Sequence, residues 1–442
     1  MSRYRPYHAV ANFLLLIRDF LLGRLHRGNS VHELELAIER KLGVRHCVAL
    51  PMARTGIYLA LKHYKLGGKR VLLSPYTISD VINMVILAGA KPEFIDVDPK
   101  TGMLSAELTE QALERYTDIG AVVITHLHGV AADIEPVLRA CQQRGIPLVE
   151  DSAQALGAQL SDGRALGTLG QAGVYSLGSY KHVNAIFGGL LVTDDPAMAQ
   201  SVRSELESRP FFPTSKLFSK AWFGFVYQIL IWPPLFRAIV FPILRWGLLK
   251  DVEAINRAVR IELDTSRKSA LPDFYLTRLT PFQARMALRQ LPSLDTNSAD
   301  RRALAQIYEA AFCNYASHYP AEDLGLISPE PSRRDIFTYY PAVWPDAGQY
   351  IKWAAYYGQD IVAQHLKNCA ALESFREFHR DCPGSEKVAH QMLLLPTYPA
   401  YGVKNVQRNI DIFLWYCSKG KPAFSQKTLE DPQAKSEAQL RV

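Results

Sequence analysis

The stretch IPLVEDSAQALGAQLSDGRALGTLGQAGVYSLGSYKHVNAIFGGLLVTD, residues 146–194, contains two apolar runs that each lead into a polar cluster. The first run, IPLVED (146–151), is unbroken rather than alternating and stops at Asp151. The second, GVYSLG (173–178), stops just before Lys181, and GLLVTD (189–194) follows Gly188. Short continuous apolar runs fit strands covered on both faces, as in a mainly parallel sheet flanked by helices. Such sheets bind ligands at the carboxyl ends of their strands, which puts Asp151 and Lys181 first among the candidates.

The pattern repeats on the N-terminal side. CVALP (47–51), RVLLSP (70–75), EFIDVD (93–98) and AVVITHL (121–127) read as four more strands. Between them lie helical stretches, TGIYLALKHYK, ISDVINMVILAG and IEPVLRACQQRG. The last two close on a glycine, as a helix C-cap would. Seven strands alternating with helices predict an α/β domain. Residues 206–262 break the rhythm. Beyond them, PFQARMALRQL (281–291), residues 299–312 and VQRNIDIFLWYC (406–417) read as helices of an α+β part. The expected organisation is an N-terminal helical segment (1–44), a large domain (45–270) carrying 206–262 as an insert, and a small C-terminal domain (271–417). The tail, 418–442, is polar and lacks an apolar stripe, so disorder is expected there.

Composition narrows the function. With 442 residues, 48% hydrophobic and 21% charged, the chain is neither disordered nor fibrous. A net charge of +7 is too mild to imply a nucleic-acid partner. The six cysteines are far apart, with no CxxC and no His/Cys cluster. Reduced thiols of a cytoplasmic protein, without a metal site, are therefore expected. The start, MSRYRPYHAVANFLLLIRDF, has an apolar run interrupted by Arg18 and no small-residue cleavage site, so no cleavable signal peptide is expected. GxGxxG after a strand, GxxxxGK[ST], GxSxG and HExxH are all missing from the sequence. Dinucleotide, P-loop, serine-hydrolase and zincin chemistry therefore lack their motifs.

What remains is a set of polar residues at strand ends, spaced like a site for pyridoxal 5'-phosphate (PLP). A lysine in a loop after a buried strand forms a Schiff base with an aldehyde if its surroundings lower its pKa; Lys181 is so placed, although most loop lysines are simply solvated. Asp151, thirty residues earlier, suits the pyridine nitrogen, where a held proton makes the ring an electron sink. Asp-Ser-Ala-Gln (151–154) is equally a helix start with Asp151 as N-cap. Gln154 is placed for the ring hydroxyl and Ser176 for the phosphate; a surface glutamine is the plain alternative for Gln154. Ala53 and Arg54 fall at a helix N-terminus, where backbone N–H groups make an anion site. In PYTISD, Tyr76 or Ile78 offers an apolar cover for one ring face, or ordinary core packing.

At these residues the chain resembles the DegT/DnrJ/StrS-type sugar aminotransferases, PLP enzymes of fold type I. The matching motifs are GNSVHELELAIERKLGV, PYTISDVINMVILAGAKPEFIDVDPKTGML, THLHGVAADIEPV, LVEDSAQALGA, GRALGTLGQAGVYSLGSYK and GGLLVT. Weaker matches lie at 278–312 and at MLLLPTYP (392–399). The resemblance implies Lys181 as the Schiff-base lysine, Asp151 at the pyridine nitrogen, Gln154 beside the ring hydroxyl and Ser176 as a phosphate ligand. Ala53 and Arg54 stand where the family usually has Gly-Thr. The family's ring-stacking aromatic is Ile78 here, which moves that expectation to Tyr76. Leu276 stands where an Asn is often lent to the neighbouring subunit's phosphate. The implied function is transfer of an amino group, from glutamate or glutamine, to a nucleotide-linked keto-sugar in amino-sugar or polysaccharide biosynthesis. A homodimer with interfacial sites is implied as well. Two other readings stand beside it: a sugar dehydratase, in which histidine replaces the lysine, and a PLP-binding regulator without turnover.

The insert has no counterpart in that resemblance. FFPTSKLFSKAWFGFVYQILIWPPLFRAIVFPILRWGLL (211–249) has no acidic residue, and Pro233, Pro234 and Pro242 interrupt its later half. Its longest charge-free run, Ala221–Phe236, is 16 residues. That is too short for a span of about 20 helical residues. Aromatic bulk with basic flanks predicts a helix pair in the headgroup region of an anionic leaflet, with the N-terminal ANFLLLIRDFLLGRLHR beside it. Packing on a dimer partner or over the active site is the competing expectation. The location implied is cytoplasmic, peripheral to a membrane if the first reading holds.

Overall fold

The apolar runs of the sequence become one sheet. The computed structural model describes residues 2, 5, 8–258, 264–319, 325–326, 333–363 and 365–420, so the tail expected to be disordered lies outside the described residues from 421 onward. Helices α1 (Ala9–Leu21) and α2 (Ser30–Leu42) come first. The strands β1 (His46–Leu50), β2 (Arg70–Leu73), β4 (Lys91–Phe94), β5 (Ile119–Thr125), β6 (Leu148–Asp151), β7 (Ala172–Ser176) and β8 (Gly189–Thr193) then form a seven-stranded sheet. Its order is β1-β8-β7-β6-β5-β2-β4. The pairs β2/β4, β2/β5, β5/β6 and β6/β7 are parallel, and β8 alone runs against its two neighbours. All seven predicted strands are present, and their interior residues are buried, as two-sided coverage requires.

Helices α3 (Ala53–His63), α4 (Ser79–Leu87), α5 (Ala106–Arg115), α6 (Ile134–Arg144) and α7 (Pro196–Glu207) connect and cover these strands. The glycine stop read for α6 is present as Gly145 at φ 63°, a backbone that favours glycine. A two-residue strand, β3 (Tyr76–Thr77), pairs with a C-terminal one described below. The insert folds as α8 (Thr214–Leu230), then α9 (Pro233–Leu235), which runs through a π turn (Phe236–Val240) into α10 (Phe241–Leu249), with α11 (Glu253–Ala258) after it. Pro242 directly follows the π turn, the kind of irregularity at which a helix accommodates a proline, and the helical path continues to Leu249.

Helix α12 (Pro281–Gln290) opens on a capping box between Thr280 and Gln283 and packs on α2. The long α13 (Leu294–His318) follows. A four-stranded antiparallel sheet is built from β9 (Gly325–Leu326), β10 (Tyr339–Val343), β11 (Val362–Ala363) and β13 (Met392–Pro396). Helices α14 (Ala347–Tyr356), α15 (Pro383–Gln391) and α16 (Gly402–Ser418) complete this α+β part. β12 (Lys367–Asn368) crosses back to pair with β3, tying the two parts together beside the large sheet's carboxyl edge.

Candidate active site

Parallel register places the two leading candidates side by side. Asp151 is the last residue of β6 and pairs with Val174 of β7, two residues before Ser176. Ser176 in turn pairs with Gly189, which also pairs with Leu50 of β1. A Cβ added to Gly189 would lie 2.5 Å from the Ala53 backbone N, so only glycine lets β8 approach the start of α3. Ser176 and the N-terminus of α3 therefore converge on one spot. Arg54 turns its guanidinium away, onto Asp80 and to the Tyr275 hydroxyl at 3.2 Å, leaving the helix's backbone N–H groups as the anion site.

Lys181 sits in a loop fixed from several sides. Its backbone N–H bonds Gly178 O at 2.9 Å, Ala185 N bonds Leu177 O at 2.7 Å, and Ser179 Oγ bonds Ile186 O at 3.0 Å. Ile186 is held at φ 68°, a strained setting for a β-branched residue and one that marks functional loops. Burial pushes the Lys181 ammonium down to about 8, against the pull of Asp151 and with help from Arg54. Burial raises the carboxyl of Asp151, and the Ala153 N–H, Lys181, His126 and Arg54 partly offset it. An acid and an amine thus share a dry pocket in which each is displaced toward neutrality.

The helix expected to start at Asp151 does not form. Residues 152–157 are turns, and Asp151 Oδ1 accepts from Ala153 N at 3.1 Å as an Asx turn. Next door, the buried Glu150 carboxylate accepts from the backbone N–H of Gly167, Leu169 and Gly170 and sits 3.0 Å from His126 Nε2, tying the 167–170 loop to the end of β6. Gln154 accepts from His128 N at 3.1 Å and lines a cavity of about 660 Å³. Tyr76 goes elsewhere. The β3/β12 pair draws it into the core, where it is 1% exposed and abuts Gly102, so no open ring face is left at the site.

Three histidines lie close enough to Lys181 to feel its charge. His128, at φ 59°, has both ring nitrogens buried without a hydrogen-bond partner, and burial depresses it to about 3. His182 has Nε2 in the same condition. His365, from the C-terminal part, faces Lys181 and is pushed by burial to about 4. His128 follows β5 in THLHG and the strand-end rule reaches it; His365 comes from a segment with no sequence signal. Unpartnered buried nitrogens around an amine are the mark of a pocket arranged for a polar guest. The donor set fits PLP: amine for the aldehyde, acid for the ring nitrogen, hydroxyl and helix N–H groups for the phosphate.

Comparison with known proteins agrees. The DegT/DnrJ/EryC1/StrS aminotransferase family matches residues 14–227 and 274–413. Solved structures of similar fold include the aminotransferase TlmJ from Streptoalloteichus hindustanus, at 22% identity and TM-score 0.70, covering 96% of this chain and 100% of that one. Helicobacter pylori PseC, an aminotransferase involved in the biosynthesis of pseudoaminic acid, aligns at 17% identity and TM-score 0.65 over 94% and 98% of the two chains. DesI, solved in the presence of its TDP-sugar product, aligns at 22% and TM-score 0.63 over 95% and 93%. With four-fifths of its length matched and a PLP-type donor set at the strand ends, the chain belongs to the DegT/DnrJ/EryC1/StrS family of PLP-dependent aminotransferases.

Proposed function

We propose that this enzyme moves an amino group from glutamate or glutamine onto a keto-sugar carried by a nucleotide, acting as a homodimer. The observation that carries the reading is the buried Lys181–Asp151 pair, whose neighbours His128, Gln154 and His365 line a cavity of about 660 Å³, a volume in the range of small-ligand sites. Lys367 lines that cavity and offers positive charge to a diphosphate. The TDP-sugar of DesI supports the nucleotide.

Bound PLP supplies the electron sink that stabilises charge at the donor's α-carbon. Asp151 holds a proton at the ring nitrogen; the charge that burial makes costly there is repaid when that cation arrives. Ser176 Oγ and the N–H groups of Ala53 and Arg54 hold the phosphate. Lys181 Nζ, once free, takes the proton from the donor's α-carbon and later returns one to the sugar carbon that gains nitrogen. A fixed loop keeps that amine on target through both transfers.

The test uses α-amino-¹⁵N-glutamate and α-amino-¹⁵N-glutamine in turn, with nucleotide-linked keto-sugars as acceptors. Product mass should rise by the keto-to-amine exchange, with ¹⁵N incorporated. Loss of water without nitrogen would overturn the transaminase reading in favour of a dehydratase. Borohydride should fix the cofactor on Lys181 and nowhere else. Light scattering should give twice the 49.6 kDa chain mass.

A further inference from the structure

Helix α1 is apolar on both faces. Its inward face buries Leu15 and Leu16 in the core beside Asn12 and Asp19. Asn12 Nδ2 donates to Asn184 Oδ1 at 3.0 Å, and Arg285 holds Asp19 at 2.7 Å. Its outward face carries Val10, Leu14 and Leu21, exposed by 40, 58 and 76%. A surface helix of a water-soluble domain keeps its outward face polar.

The insert continues that face. Phe13 of α1 stacks on Phe225 of α8 at 4.9 Å and meets Trp222 at 5.6 Å, while Phe20 meets Phe218 edge-on at 5.1 Å. The two arms of the insert, Thr214–Leu230 and Pro233–Leu249, are bent 70° from one another. Trp222, Trp232 and Trp246 stand more than half exposed, with Phe223, Ile229, Ile239 and Ile243 among them. Thirteen of the eighteen exposed large apolar side chains among the described residues lie on α1, its C-terminal turn and this hairpin. A contiguous apolar face of this kind marks an interaction surface.

Charge selects the partner. The hairpin offers Lys216, Lys220, Arg237 and Arg245 and no acid, and Arg24 and Arg27 follow α1. The one acid of α1, Asp19, is turned inward and neutralised. A second copy placed on this face by two-fold symmetry would set the same cations against themselves, without an anion to pair with. An anionic lipid surface pairs with all of them. Exposed tryptophans suit the headgroup region, where an amphipathic ring has both apolar and wet surroundings. Among the described residues no single helix is long and apolar enough to cross a bilayer, and the 70° bend favours lying in its surface. The family match stops at residue 227 and resumes at 274, so the second arm lies outside the matched segments.

We propose that α1 and the 214–249 hairpin form a docking surface that seats this enzyme in the headgroup layer of an anionic membrane. The test is flotation of the PLP-loaded full chain with vesicles of phosphatidylcholine and phosphatidylglycerol in equal parts. At low salt most of the protein should float. Pure phosphatidylcholine vesicles, or about 0.5 M salt, should reduce the floated fraction several-fold, because surface charge is screened within a few ångströms there. The variant W222E/W232E/W246E should stay at the bottom while keeping the visible band of bound cofactor. Brominated lipid should quench wild-type tryptophan fluorescence, which gives the same answer with no substitution. Wild type left at the bottom at low salt, with unquenched tryptophans, overturns the proposal. Loss of oligomer mass in the variant with no vesicle binding by wild type would instead assign the face to a second copy.

Discussion

Lys181 titrates low because burial strips water from its ammonium faster than Asp151 can compensate. An amine with a pKa of about 8 is about a quarter neutral at pH 7.5, against roughly 0.1% for an ordinary lysine. Only the neutral form attacks an aldehyde. The rate of PLP uptake by cofactor-free enzyme should therefore climb with pH and level off just above 8, measured by the growth of visible absorbance. A rate still rising tenfold per pH unit at 9 would contradict the depressed value. Asp151 makes the complementary prediction. Asp151→Asn keeps the shape but cannot hold the ring proton by charge, so kcat should fall by about 10²–10⁴, the range of a positioned proton-transfer group. Both residues were singled out from strand ends, Asp151 as the last residue of β6 and Lys181 in the loop that follows β7. His128 was half-legible, since its exposed-looking loop hides a strained, unpartnered ring. The burial of Tyr76 was not legible, because the pairing of β3 with β12 spans nearly three hundred residues and leaves no local mark.

At the level of elements, every predicted strand was recoverable because burial on both faces demands a continuous apolar run. The turn after β6 was not, because the Asp151–Ala153 bond that would cap a helix here closes only an Asx turn. Helix α1 was read as amphipathic, but the burial of its one acid depends on Arg285, which α12 brings from far along the chain. That contact is testable. Arg18 and Arg285, against the cost of burial, hold the Asp19 carboxyl below its usual value. Arg285→Ala leaves that carboxylate buried with Arg18 alone, which should cost about 1.5–3 kcal/mol in thermal or denaturant unfolding. The sign with pH follows from the lowered value. The contribution is present above the ordinary carboxylate pKa and fades as pH falls through the folded one. Wild type should thus lose stability on acidification below about pH 4, and the variant should lose less over the same interval.

Across the whole molecule, the catalytic cavity and the lipid-facing hairpin share a wall. One end of the cavity is His128 and Gln154, at the cofactor side; another is Leu244 and Leu248 of α10, with Ile255 of α11. Lys352 of α14 pairs with Asp251 at 2.8 Å, so the end of the hairpin is also tethered to the C-terminal part. The two half-reactions should feel this wall unequally. A donor amino acid is small and needs only the region around Lys181 and Asp151, whereas a sugar with its carrier must extend along the cavity. Leu248→Arg puts an unpaired charge on the half-buried apolar wall. Charge there should raise KM for the acceptor by about tenfold or more, the effect of one badly matched contact of 1–3 kcal/mol. Conversion of the cofactor band by glutamate alone should stay within about twofold of wild type, since no donor atom needs to reach α10. Equal damage to both half-reactions would show that the hairpin supports the fold of the site rather than bounding the acceptor. Selective damage would place the acceptor's far end against the same hairpin that carries the exposed tryptophans, and so next to whatever surface they occupy.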